Sequence, residues 1–157
     1  MLALELDGTA VKGFMGKLLR EDIFDAFEVR AVEILTANRI TIEGALETSP
    51  SDENENESDK KSGFTTWAAL RPLVYEIIKL SQKPKLIKLV CSHKEPGAVD
   101  ANAAALFLNL SYENDGVTFT TATAQRQFVL DKSLDSAWDD WVRGFFAKIG
   151  LGVRDRV

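Results

Sequence analysis

Asn114-Asp115-Gly116 divides two runs of alternating polar and apolar residues, ALFLNLSYE and VTFTTAT, and this arrangement predicts a β-hairpin. Asn, Asp and Gly tolerate the positive φ of a tight hairpin turn, and period-two alternation gives each strand one core-facing side. The same alternation recurs in LALEL near the N-terminus, where Leu2, Leu4 and Leu6 share a face. It recurs again in AFEVRAVEIL and RITIEGAL, a second hairpin around Thr36-Ala37-Asn38, and in KLIKLVCS; RQFVL predicts a further strand. Turns this short join antiparallel neighbours, so the sheet is expected to be mainly antiparallel.

Three segments carry the helical period instead. Val11, Phe14, Met15, Leu18 and Leu19 follow the i, i+3, i+4, i+7, i+8 template, with Thr9 as expected N-cap. In TTWAALRPLVYEIIKLSQ, the residues Trp67, Leu70, Val74, Ile77, Ile78 and Ser81 fall on one side. Pro72 removes a backbone donor there and predicts a kink or a later start. The third helix, 133–149, aligns Leu134, Ala137, Trp138, Trp141, Val142, Phe145 and Ile149, with Ser133 as expected cap and Gly150 beyond its end. The order is β-α-β-β, then α-β-β-β, then α. This is an α+β chain with two helix-plus-antiparallel-strands halves, 1–46 and 64–130, and an added C-terminal amphipathic helix. At 157 residues, 45% hydrophobic, it suits a single domain over 1–157.

Charge is distributed unevenly. The chain carries 19 Lys+Arg and 24 Asp+Glu, net −5. Residues 47–59, ETSPSDENENESD, hold six acidic side chains and no apolar one, which predicts a mobile acidic loop over 47–63. Residues 60–92 hold seven basic side chains against Glu76 alone, net +6. A basic segment therefore sits inside an acidic protein. Clustered Lys and Arg suit a phosphate backbone, because binding releases condensed counterions. Lys79 and Lys83 fall opposite the apolar stripe of the second helix, as Lys17 and Arg20 do on the first, where Gly13 and Gly16 leave a low surface. The ordinary reason for such charges is the solvated side of an amphipathic helix.

Chemistry finds little to work with. One Cys and one His exclude a disulfide framework and a Cys/His zinc cage within one chain. Cys91 and His93 share a strand face with Glu95 nearby, but a nucleophile also needs an oxyanion site and an orienting group. A core Cys and a loop His account for them. Asp139 and Asp140 are adjacent on a helix, about 100° apart, which suits solvated helix surface better than a chelate. No G-x-G-x-x-G, Walker or G-x-S-x-G motif occurs, so a non-enzymatic protein with no cofactor and no metal is expected. The N-terminus lacks a basic n-region, and no apolar run reaches the roughly 18–20 residues of a membrane span. The expected location is cytoplasmic, without membrane partners.

The stretches LALELDGTAVKGFMGKLLRE, RAVEILTANRITIEGAL, WAALRPLVYEIIKLSQKPKLIKLVCS and LFLNLSYENDGVTFTTAT together resemble one domain of a DNA sliding clamp, the polymerase processivity factors. The resemblance covers roughly residues 1–130 and lies in element order and charge placement. It implies a clamp-like binding domain whose helices present Lys12, Lys17 and Arg20, and Arg71, Lys79 and Lys83, to nucleic acid. It further implies a replication or repair partner, and a homo-oligomer, since one domain cannot encircle a duplex. The chain also resembles an uncharacterised family of small bacterial proteins. The alternative reading is a protein-interaction or regulatory module that docks a partner through Trp138, Trp141 and Phe145 of the C-terminal helix.

Overall fold

The computed structural model describes residues 1–47 and 63–156. The expected acidic loop lies, apart from its end residues, outside the described residues. Seven strands form one sheet: β1 (Ala3–Leu6), β2 (Glu28–Leu35), β3 (Arg39–Glu43), β4 (Leu86–Ser92), β5 (Ala103–Glu113), β6 (Gly116–Gln125) and β7 (Val153–Asp155). Their order is β3-β2-β4-β5-β6-β1-β7, and every neighbouring pair is antiparallel. The helices are α1 (Val11–Arg20), α2 (Trp67–Leu80), the four-residue α3 (Pro96–Val99) and α4 (Ser133–Lys148). The α+β class holds. The two halves share one sheet: β1 leaves its own half to pair with β6, and β2 pairs with β4 of the other.

The β5–β6 turn is the two-residue kind that the sequence predicts. Glu113 pairs with Gly116, while Asn114 and Asp115 have φ of 53° and 59°. Those values belong to a type I′ turn, whose twist matches that of the strands it joins.

Alternation sorts the sheet into two faces. Leu4 and Leu6, Val32 and Ile34, Ile87, Leu89 and Cys91, Leu106, Leu108 and Leu110, and Val117 and Phe119 are buried on one. The long helices cover that face. Between them runs an aromatic core linking Phe14 of α1, Phe24 and Phe27 of the α1–β2 connection, Phe119 of β6 and Phe145 and Phe146 of α4, with ring centroids 4.7–5.9 Å apart. Edge-to-face pairs dominate, the geometry aromatic quadrupoles favour. The other face carries Glu33, Lys88, Asn109, Ser111, Thr118 and Thr120.

Several local expectations are corrected. RQFVL is not a strand: β6 ends at Gln125, and Phe128 and Leu130 are 83% and 86% exposed. The edge of β6 that such a strand would need is filled by β1. Thr9 does not cap α1. Asp7 caps a 3-10 turn, Gly8–Ala10, by accepting the Thr9 N–H, and α1 follows from Val11. Ser133 is the first residue of α4 rather than its cap, and its N–H and hydroxyl both donate to Asp131. Pro72 lies within α2, which runs from its Thr66 cap to Leu80.

Candidate nucleic-acid interface

Helix α1 buries Val11, Phe14 and Leu18, which turns Lys12, Lys17 and Arg20 outward. Lys17 and Arg20 occupy its last turn, where cations complement the helix dipole. The Arg20 guanidinium folds back over Gly16, with Nη2 3.1 Å from where a Cβ would stand there. Helix α2 packs beside α1, held by Trp67, whose buried indole N–H donates to the Leu18 carbonyl at 3.0 Å. Both helices thus lie side by side on one face of the sheet.

The six expected phosphate contacts divide. Arg71 makes a bidentate pair with Asp25, Nε to Oδ1 and Nη2 to Oδ2 both 2.8 Å, which ties α2 to the α1–β2 connection. Planar guanidinium suits this fork, so Arg71 is a structural clasp rather than an outward cation. Lys83 lies beyond the helix, because Ser81 ends α2 by donating its hydroxyl to the Ile77 carbonyl and its N–H to Ile78. Its ammonium pairs with Asp115 of the β5–β6 turn, and the Tyr112 hydroxyl donates to the same carboxylate. These hydrogen bonds hold the Asp115 carboxyl below its ordinary range and raise the Lys83 ammonium above its own. Lys12, Lys17, Arg20 and Lys79 have no acidic partner among the described residues. Lys79 lies over the Tyr75 ring at 6.0 Å.

Among the described residues, the basic side chains of this segment do not all share one surface. Lys88 projects from the helix-free face, opposite Glu33 and Ser111, because its neighbours Ile87 and Leu89 face the helices. Lys12 and Lys83 border a cleft of about 440 Å³ between α1, the end of α2 and the β5–β6 turn, floored by Val11, Met15, Leu19 and Ile78.

Helix α4 is part of the core. Trp138, Val142 and Phe146 are 0–1% exposed, and the Trp138 indole N–H donates to the Phe107 carbonyl at 2.8 Å. Trp138 is therefore removed from the expected docking surface, its apolar stripe being spent on β5 and β6. Trp141 and Phe145 are half-buried. Asp139 accepts from the Thr121 hydroxyl at 2.6 Å, and that hydroxyl accepts the Leu2 N–H. Asp135 accepts from Thr123. These acids fasten α4 to β6, a role that reading Asp139 as solvated helix surface missed. A threonine on the core-facing side of β6 (Thr121) was the available signal.

Cys91 and His93 do share the helix-side face, yet the thiol is fully buried and burial pushes its pKa far above the ordinary thiol range. It stays protonated at neutral pH and lacks the thiolate that nucleophilic chemistry requires. Burial against Trp138 and Trp141 lowers the His93 pKa, partly opposed by the Glu95 charge. Among the described residues no three His, Cys, Asp or Glu side chains are grouped to hold a metal ion, and no helix is long and apolar enough to cross a membrane.

No curated protein and no solved structure matches the chain. Residues 17–153, which take in the last turn of α1, all of α2 to α4, β2 to β6 and the first residue of β7, match a family of unknown function, DUF5721, and the chain belongs to that family.

Proposed function

We propose that the chain is a non-enzymatic, clamp-like binding domain that contacts duplex nucleic acid through the outward sides of α1 and α2. Lys12, Lys17, Arg20 and Lys79 are the contacting cations. Arg71 pairs instead with Asp25, which ties α2 to the α1–β2 connection, and Lys83 pairs with Asp115 of the β5–β6 turn. The observation that carries this reading is the side-by-side packing of α1 and α2 with four cations that have no acidic partner among the described residues. Gly13, with nothing within 4 Å of where a Cβ would stand, keeps the outer side of α1 low, so a phosphate backbone can approach closely, and Arg20 lies over Gly16. One domain touches one side of a duplex; encirclement takes several copies, and light scattering reports whether they associate.

Fluorescence anisotropy with duplex DNA at low salt tests the proposal. Lys17→Glu with Arg20→Glu weakens binding at least ~10-fold, since two phosphate contacts become repulsive. Lys88→Glu, on the helix-free face, leaves binding unchanged. Equal effects from both variants, or no binding by the wild type, would refute the assignment.

A further inference from the structure

A second site lies away from the α1–α2 surface. Phe27, His93, Trp141 and Phe145 wall a pocket of about 360 Å³, with Ala26 at its side and Lys94, Glu95 and Lys148 at its rim. Its volume falls within the range of small-molecule sites, roughly 300–1,000 Å³. The walls are flat and mutually ordered. Trp141 and Phe145 stack 7° from parallel at 5.5 Å, Phe27 stands edge-on to both, and His93 stands edge-on to Trp141 at 4.9 Å.

The polar groups are mostly donors. His93 Nδ1 accepts the Glu95 N–H at 2.9 Å, which leaves the hydrogen on Nε2. The Trp141 indole N–H has no hydrogen-bond acceptor among the described residues. Lys94 and Lys148 likewise have no acidic partner there. Glu95 is the single acid at the rim against two ammonium groups, so the site favours an anion. Aromatic walls with a cationic rim match a ring that carries a negative charge at one end.

We propose that this pocket binds a small planar aromatic carboxylate, its ring against Trp141, Phe145 and Phe27 and its carboxylate between Lys94 and Lys148. The site is independent of the nucleic-acid reading, since none of its residues belongs to that surface. It also accounts for the exposure left on Trp141 and Phe145 by a helix whose other large aromatics are buried.

Naphthalene-2-carboxylate and its neutral analogue 2-naphthamide serve as probes, followed by tryptophan fluorescence and calorimetry on the full chain. The carboxylate is expected to quench saturably and to bind at least ~10-fold more tightly than the amide, the margin of a charge-assisted contact. Lys148→Ala, at an exposed position, weakens the carboxylate about 5-fold, leaves the amide unchanged and preserves the circular dichroism spectrum. Lys88→Ala, on the helix-free face, changes neither affinity. Equal affinity for both probes, no saturation by either, or a carboxylate affinity indifferent to Lys148→Ala would overturn the assignment.

Discussion

Gly44 follows β3 and lies between β2 and the residues that lead into α2, bonding Arg30 on one side and Thr65 on the other, and replacing it with alanine tests how α2 is held in place. An added Cβ would lie 1.7 Å from the Val29 carbonyl oxygen, 2.5 Å from its carbon and 3.1 Å from the Arg30 carbonyl carbon. All three are backbone atoms of β2 beside its bulge, so no flexible side chain can yield. Restoring ordinary contact takes a backbone displacement of about 1.7 Å. That movement strains three hydrogen bonds: Gly44 N–H to Arg30 O at 2.9 Å, Thr65 N–H to Gly44 O at 2.8 Å and Val29 N–H to Thr65 O at 2.8 Å. At about 1 kcal/mol net for each, and more where a buried group is left unpaired, Gly44→Ala costs about 3 kcal/mol or more. Urea unfolding followed by circular dichroism measures it as a lower midpoint at unchanged slope. Since Thr66 and Trp67 follow directly and Trp67 N–H bonds Phe27 O, the variant also loosens the start of α2. A loss below ~0.5 kcal/mol, the range of ordinary surface substitutions, would refute the reasoning.

Two further predictions concern side chains that hold elements together. Asp139→Ala removes the acceptor of the Thr121 hydroxyl at the α4–β6 contact and lowers stability by about 1–2 kcal/mol, whereas Asp140→Ala, at an exposed position, changes it by less than ~0.5 kcal/mol; paired urea titrations compare them. The Asp115 carboxyl titrates below its ordinary value in an NMR pH titration, because the Lys83 and Tyr112 hydrogen bonds favour its charged form, and Lys83→Ala moves it back up. A carboxylate with a lowered folded-state pKa contributes stability that is present above its unfolded value and is lost as pH falls through the folded one. The Lys83–Asp115 contribution is accordingly lost in acid, below the ordinary carboxylate range.

What the sequence discloses follows from how local each cause is. The Asn114-Asp115 turn and the α1 stripe depend on residues within a few positions of one another, and both stand as read. The pairing of β1 with β6 depends on residues more than a hundred positions apart, which no periodicity records, so the two halves read as separate although they share one sheet. RQFVL failed for the same reason: an apolar run after β6 adds a strand only where the edge of β6 is open, and β1 had taken it. The short β7, which flanks β1 at the sheet's end, carried too few residues to show a period. Charge misled differently. A net +6 segment looked concentrated, but a turn and a strand direct Lys83 into an ion pair and Lys88 to the opposite face. Arg71 was spent on Asp25, a partner visible only once α2 lies across the α1–β2 connection.

The salt dependence of duplex binding tests the proposed interface most directly. Four phosphate contacts, from Lys12, Lys17, Arg20 and Lys79, predict that log K falls against log salt concentration with a slope of about −3.6, and that neutralising Lys17 and Arg20 together reduces it to about −1.8. Binding that is undetectable at low salt, or a slope that the double neutralisation leaves unchanged, would contradict the assignment of this surface to nucleic acid.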